Sequence, residues 1–247
     1  MRLAWLSARP IAHRGLHDAA AGTVENTAGA FAAAVAANYG IECDLQLSAD
    51  GEAMVHHDDA LGRLTESSGR LADMSADALK AVRFKASGNR MLTLSELCEL
   101  VAGRVALLLE LKSRFDGDPR LAQRTAAVLR DYAGPVAAMS FDPDSVAALR
   151  ELAPTLTRGI VAQRHYPQAQ WPALPRRRAL ALAHLLHWPR TRPDFIAYAV
   201  RDLPAAAPLI ARNVFGCPLL TWTVRSADDR RRAERYADQM IFEGWRP

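Results

Sequence analysis

The sequence predicts an α/β protein, a (β/α)8 TIM barrel with a β-hairpin excursion after strand two. Three observations predict it. Short β-like runs alternate with Ala-rich helical runs from end to end, the pattern of βα units around a parallel sheet. The length, 247 residues, is one at which such barrels commonly form a single unit. Nine strand candidates also reduce to eight once one of them is recognised as a hairpin arm.

In chain order, the first strand candidate is Pro10–Arg14, closed by a Gly turn, and helical residues Thr27–Ala37 follow. The second strand is Gly40–Leu47. Ala49-Asp50-Gly51 is a turn signal only a few residues long, so Ala53–His57 should fold back on strand two as an antiparallel arm. Such an arm cannot be the next strand of a parallel barrel, which needs a longer crossover. Residues 58–93 then form a long excursion before the next barrel strand, with a helical pattern at Leu94–Val101. Long connections of this kind usually build the active site at the carboxyl ends of the strands.

The remaining strand candidates are Val105–Lys112, Val136–Phe141, Thr157–Ala162, Phe195–Val200, Leu219–Val224 and Gln239–Phe242. Helical patterns separate them at Leu121–Tyr132, Pro143–Leu152, Pro204–Ala211 and Ser226–Ala237. The irregular stretch 164–193, rich in Pro and Arg, is expected to carry one helix, Arg177–His187. No linker composition, repeat or low-complexity tract divides the chain, so residues 1–247 read as one barrel domain.

Half of the residues are apolar and 23% are charged, as expected for a soluble globular protein with a sizeable core. No run approaches the roughly 18 apolar residues of a membrane span. The apolar stretch within Met1 to Arg9 is too short for a secretory signal. The three cysteines, Cys43, Cys98 and Cys217, lack metal-ligand or disulfide spacing, and read as small buried hydrophobes in a reducing compartment. Cytoplasm is the expected location.

The net charge is only +4, weak grounds for an anionic partner. The clusters Arg176-Arg177-Arg178 and Arg230-Arg231-Arg232 read as solvated helix faces. Neither is interleaved with aromatics, and no recognisable nucleic-acid module is present, so a nucleic-acid partner is not expected. The sequence leaves the oligomeric state open.

Five clusters carry chemistry. His13-Arg14-Gly15 ends strand one at the barrel mouth, unless it is simply a polar strand end. In Glu42-Cys43-Asp44, positions i and i+2 share a face. Apolar Ile41, Cys43 and Leu45 belong to the helix-facing side, so both carboxylates face the barrel axis, where an unpaired charge costs several kcal/mol. Glu110-Leu111-Lys112 repeats the spacing and adds a third inward carboxylate and a lysine. Such a trio suits a hard divalent cation, Mg2+ or Ca2+; a salt-bridge network with Arg14 and Lys112 would use the same residues. His56-His57-Asp58 on the arm is either a surface turn or an acid/base imidazole oriented by a carboxylate. Thr221-Trp222-Thr223 offers an inward Trp, as a wall of the mouth or as core.

In order, these clusters resemble the glycerophosphodiester phosphodiesterase family. That family shows HRG near the start, PENT before helix one, ExD on strand two, a DG turn, HD with a later R-x-T, a Glu-x-Lys strand, an SF strand end and a late WTV. Here they stand as His13-Arg14-Gly15, Glu25-Asn26-Thr27, Glu42/Asp44, Asp50-Gly51, His57-Asp58, Arg63/Thr65, Glu110/Lys112, Ser140-Phe141 and Trp222-Thr223-Val224. The match spans nearly the whole chain, and its strength lies in the order, since each motif alone is weak.

The resemblance implies metal-dependent hydrolysis of glycerophosphodiesters to glycerol 3-phosphate and an alcohol. His13 and His57 would be the acid/base pair, and Glu42, Asp44 and Glu110 the ligands of one divalent cation, Mg2+ or Ca2+. Arg14 and Lys112 would hold the phosphate, with Trp222 and Phe141 on the leaving-group or glycerol side. Water or a substrate hydroxyl could be the nucleophile.

Two departures stand out: Val24 replaces the proline of PENT, and the last strand runs into Glu243-Gly244 where the family often has Thr-Asp followed by Pro. The insertion that some members carry after HD also looks reduced. Other readings are a lysophospholipase D-like or sphingomyelinase D-like enzyme of the same superfamily, and a non-catalytic phosphodiester-binding barrel. The two histidines argue against the latter.

Overall fold

The computed structural model describes residues 3–171 and 174–247. After the short helix α1 (Ala4–Ser7), the elements are β1 (Ile11–Ala12), α2 (Ala28–Ala36), β2 (Gly40–Leu47), β3 (Ala53–Val55), α3 (Ala76–Ala81), α4 (Leu94–Val101), β4 (Leu107–Leu111) and α5 (Arg120–Leu129). There follow β5 (Val136–Ser140), α6 (Pro143–Leu152), β6 (Thr157–Ala162), α7 (Arg176–Ala183), α8 (Trp188–Thr191), β7 (Phe195–Ala199), α9 (Ala206–Phe215), β8 (Leu219–Val224), α10 (Ala227–Tyr236) and β9 (Gln239–Phe242). The strands run in the order β1-β9-β8-β7-β6-β5-β4-β2-β3, and a further β1–β2 pairing closes the ring. Every pairing in the ring is parallel; β3 alone is antiparallel, with Leu45 opposite Val55. This is a (β/α)8 barrel with one extra strand outside the ring, as the turn at Ala49-Asp50-Gly51 predicts.

Alternation along the strands sorts the core. Ile41, Cys43, Leu45, Leu107, Leu109 and Leu111 point outward and pack with Phe31, Leu94, Leu97 and Val101 of the helices. The complementary positions Leu108, Met139, Val161, Phe195 and Ile241 fill the barrel interior together with Leu6 of α1. Here α1 is an element that the sequence reading does not contain: Leu6 is buried against the interior cluster. Interior packing also explains Gly159, where a Cβ would lie 2.3 Å from the Phe195 ring. Only glycine fits so close an approach.

The excursion 58–93 has its own small apolar cluster, Leu61, Leu71, Leu79, Phe84 and Met91, packed on Val24 and Met54. Val24, in the place of the family's proline, is therefore buried in that cluster. The region 164–193 holds α7 and α8 where one helix, Arg177–His187, is expected; Pro172 and Ala173 lie outside the described residues. The three cysteines are free and buried. No helix among the described residues is long and apolar enough to cross a membrane.

Candidate active site

The acidic trio comes from neighbouring strands in register: Asp44 of β2 stands opposite Glu110 of β4. Glu42 and Asp44 are each 1% exposed and Glu110 8%. One oxygen from each lies within 4.8 Å of the others, so the three could hold a metal ion. Lys112 Nζ bridges two of them, 2.8 Å from Asp44 Oδ1 and 2.6 Å from Glu110 Oε1. Arg14 Nε lies 3.3 Å from the other Asp44 oxygen, to which Asn26 Nδ2 also donates at 2.9 Å. Glu42 Oε2 accepts from the Arg14 backbone N–H at 3.0 Å.

These contacts divide the trio electrostatically. Burial, then the repulsion of Asp44 and Glu110, pushes the Glu42 carboxyl well above the usual carboxylate range. Burial also raises Glu110, against the attraction of Lys112. Burial opposes ionisation of Asp44 too, but Lys112, His57 and Arg14 together outweigh it and hold that group far below its ordinary value. Glu42 Oε1 is buried and, among the described residues, accepts no hydrogen bond. Orphaned buried acceptors cost about 1–3 kcal/mol. An unpartnered carboxylate oxygen, beside two more carboxylates, fits a hard cation with oxygen ligands.

Both histidines of the sequence reading reach this mouth. His13 follows β1 directly, and the turn after it relies on Gly15, whose φ is +81° and whose Cβ would meet Ala30 at 2.9 Å. His13 Nδ1 lies 2.5 Å from Glu243 Oε2 and its Nε2 lies 3.8 Å from Glu42 Oε2. Glu243 is in turn gripped by Arg225 at 2.8 Å. His57 Nδ1 lies 2.7 Å from Asp58 Oδ1, and Arg63 holds Asp58 at 2.6 Å. Arg63 and Arg14 share Glu25, each at 2.7 Å. A carboxylate only accepts, so each Nδ1 must donate and carry the proton. Burial lowers both imidazole pKa values. The neutral rings then present Nε2 as a free lone pair, whereas burial of Asp58 is outweighed by Arg63 and His57, which bring it down to about 2.

The arm settles which histidine of the pair meets the mouth. Gln46 Nε2 donates to the His57 carbonyl at 2.8 Å and the His56 N–H donates to the Asp44 carbonyl at 3.0 Å. His57 lines the mouth cavity; His56 is 1% exposed and does not line it. On the opposite side, Phe141 stands edge-on to Trp222 with ring centroids 5.5 Å apart, and Trp222 Nε1 donates to the Ala197 carbonyl at 3.1 Å.

All nine side chains singled out from the sequence, His13, Arg14, Glu42, Asp44, His57, Glu110, Lys112, Phe141 and Trp222, are thus brought to one end of the barrel. Eight of them line a single cavity of about 840 Å³, and Asp44 lies beneath it, bonded to Lys112. The salt-bridge network and the cation-ready trio, alternatives in the sequence, coexist: Lys112 and Arg14 satisfy Asp44, while Glu42 keeps a free oxygen.

Several groups escape the sequence reading. Glu243, Arg225 and Asn26 have no assigned task there; the only signal for Glu243 is the departure at the last strand end. The solvated-face reading of the arginine triplets needs a correction. Arg176 and Arg177 are exposed, but Arg178 bonds Asp144 at 2.5 Å and Asp142 at 3.1 Å, because α7 packs its third arginine toward the loop after β5. In the second triplet, Arg232 donates to the Arg201 carbonyl at 3.1 Å, and Arg230 pairs with Glu234 at 2.8 Å.

Fold and mouth define the class: a (β/α)8 barrel with its titratable and cationic groups gathered at the carboxyl ends of the strands. The sequence model of the Glycerophosphoryl diester phosphodiesterase family matches residues 13–242. The chain belongs to that family, one of phosphoric diester hydrolases. It is 31% identical over 163 residues to the glycerophosphodiester phosphodiesterase of Caldanaerobacter subterraneus subsp. tengcongensis, a match that covers 62% of this chain and 66% of that protein.

Among solved structures, an Oleispira antarctica phosphodiesterase in complex with the product sn-glycerol-3-phosphate superposes with TM-score 0.77 at 20% identity, over 96% of this chain and 94% of that one. The glycerophosphodiester phosphodiesterase of Thermotoga maritima gives TM-score 0.69 at 22% identity, over 94% and 92%. At such identities these two structures speak for the fold.

Proposed function

We propose that this chain hydrolyses glycerophosphodiesters to glycerol 3-phosphate and an alcohol, with a divalent cation, Mg2+ or Ca2+, held by Glu42, Asp44 and Glu110. The observation that carries the reading is the convergence of that trio and two carboxylate-bound imidazoles on one cavity. Family membership supports it. The proposal includes residues 1–247 as one working domain, a cytoplasmic location, a small-molecule substrate, and neither nucleic acid nor membrane insertion as a requirement.

The chemistry follows from charge. Attack at phosphorus concentrates negative charge on the non-bridging oxygens, and preorganised positive charge there is usually the largest contribution to such catalysis. A bound cation supplies part of that charge when present. The Lys112 ammonium stays protonated: burial opposes the charge, but Asp44 and Glu110 more than compensate and raise its pKa. Arg14 adds a second fixed positive group. With Nδ1–H committed to a carboxylate, each histidine has only Nε2 for proton transfer. One takes the proton of the nucleophile, and the other, protonated, gives one to the departing oxygen.

Two consequences arise directly. Glu243→Gln should lower kcat/KM by about 10- to 100-fold, short of the roughly 10,000-fold cost of the comparable change in a serine-protease triad. The amide can offer its NH2 group to Nδ1 and so favour the wrong tautomer. Rates equal to wild type would show that His13 is oriented without Glu243.

Glu42→Gln should raise the melting temperature of chelator-treated protein, because an amide relieves the crowding of this buried carboxyl against Asp44 and Glu110 while its oxygen can take the place of Oε2 and accept from the Arg14 N–H. Relief of each kcal/mol is worth about 2–4 °C at this size. The same change should abolish the stabilisation that added Mg2+ or Ca2+ gives to the wild type, which grows as RT ln(1 + [L]/Kd). Unfolding scans with and without cation check both. The function itself is tested by assaying free glycerol 3-phosphate from glycerophosphocholine and glycerophosphoethanolamine with each cation.

A further inference from the structure

The mouth has two unlike halves. Strands β1, β2 and β4 and the β3 arm present the carboxylates, the cations and the histidines. The half above β5 to β8 is aromatic. Phe141 touches Trp222 at 5.5 Å and Trp171 at 4.9 Å between centroids, and Trp171 continues to Phe115 at 6.0 Å. Tyr166 backs the wall, 5.2 Å from Trp171, with its hydroxyl accepting from the Gln163 N–H at 3.1 Å. Met139, Val161 and Leu174 make the adjoining lining apolar. Glycerol 3-phosphate and a small alcohol do not need this space: the cavity, about 840 Å³, is of the size that encloses drug-sized ligands, about 300–1,000 Å³.

The charges around the wall decide what it can take. An aromatic site for a quaternary ammonium wants open ring faces and an unspent carboxylate. Here Arg178 already lies over Phe115, 5.3 Å from the centroid. The carboxylates beside it are spent: Asp142 on Arg178 at 3.1 Å, and Asp144 on Arg178 and Arg190 at 2.5 Å each. On the rim, Asp116 Oδ1 accepts from the Asp118 N–H at 3.1 Å. Arg201 also lines the cavity; among the described residues it has no ion-pair partner, only Gln163 Oε1 at 3.1 Å. The unpaired Arg201 thus offsets Asp116, the rim carboxylate without an ion pair among the described residues, and the wall offers a cation no net attraction.

We propose that the Phe115–Phe141–Trp171–Trp222 wall is a specificity subsite for one uncharged, apolar arm of the phosphodiester, such as an alkyl, acyl or aryl group of several carbons. This rests on the hydrolytic function proposed above and names its substrate class. The apolar group could sit on the alcohol or on the glycerol, and the test separates the two sources.

Two series would be assayed for kcat/KM below their aggregation concentrations. In one, the alcohol of glycerol 3-phosphate grows from methyl to hexyl and benzyl; in the other, the glycerol of glycerophosphocholine is bare or carries a hexanoyl ester. Each fully buried methylene favours binding by roughly fourfold, so a partly buried chain should gain at least about tenfold in one series. That series identifies the arm. Trp171→Ala and Phe115→Ala should cut the long-to-short ratio to about a third or less, and Trp171→Phe should keep most of it.

A flat response in both series, or a preference for bare glycerophosphocholine over every neutral arm, would overturn the subsite while leaving the hydrolytic function standing. Failure to cleave any diester in the panel would overturn the function itself, and the subsite with it. The wild-type ratios need no variant, so misfolding of Trp171→Ala cannot decide the matter.

Discussion

Replacing His57 with alanine is expected to lower kcat/KM by about 100- to 10,000-fold, the usual cost of losing a general acid or base. His13→Ala should fall in the same range, and His56→Ala should stay within about tenfold of wild type. The reason is directional. Neighbouring residues on an extended arm point to opposite faces, and the hydrogen bonds of the arm to β2 turn His57, not His56, into the mouth cavity. His57 and His13 each have Nδ1 anchored on a carboxylate and Nε2 left for chemistry. His56 is buried, burial lowers its pKa, and it does not line the cavity. The three variants should be compared at saturating cation with circular dichroism to confirm folding. A dead His56→Ala beside an active His57→Ala would assign the chemistry to the wrong face of the arm.

Lys112→Ala should cost about 100- to 1,000-fold in kcat/KM, as does removal of one preorganised donor to a developing oxyanion. The ammonium is held by Asp44 and Glu110 at the mouth, so it is positioned before substrate arrives. Its loss also leaves those carboxylates without their nearest cation, and cation affinity should therefore rise as turnover falls. That pair of opposite changes distinguishes phosphate stabilisation from a structural role. If Lys112→Ala keeps wild-type kinetics, the lysine is only a counter-ion within the barrel.

Much of this was legible in the sequence because strand alternation converts spacing into direction. Glu42 and Asp44 could be aimed inward from the apolar character of Ile41, Cys43 and Leu45 alone, and the register of β2 with β4 then brings Glu110 to them. The short turn at Ala49-Asp50-Gly51 separated the arm from the ring for the same kind of local reason.

What stayed hidden depends on contacts between distant residues. Glu243 meets His13 from a position 230 residues later, and nothing in local pattern announces the pairing. The aromatic wall is assembled from the loops after β4 and β6 and the ends of β5 and β8, so Phe115 and Trp171 look like isolated loop residues. Arg178 sits in a basic triplet whose period suggests solvent; only the packing of α7 shows that one of the three faces inward. The four-residue helix α1 is too short to carry a periodic signal, and the burial of its Leu6 follows from the closure of the barrel above it.

A cation at Glu42, Asp44 and Glu110 is expected to serve diester hydrolysis in this mouth. The most direct measurement is release of glycerol 3-phosphate from a glycerophosphodiester by chelator-treated protein as Mg2+ or Ca2+ is titrated back. The expected result is activity lost on chelation and restored along a saturable curve by at least one of the two ions, with Glu42→Gln, Asp44→Asn and Glu110→Gln each shifting the curve to higher concentration. Full turnover in excess chelator, unchanged in the three variants, would contradict the account.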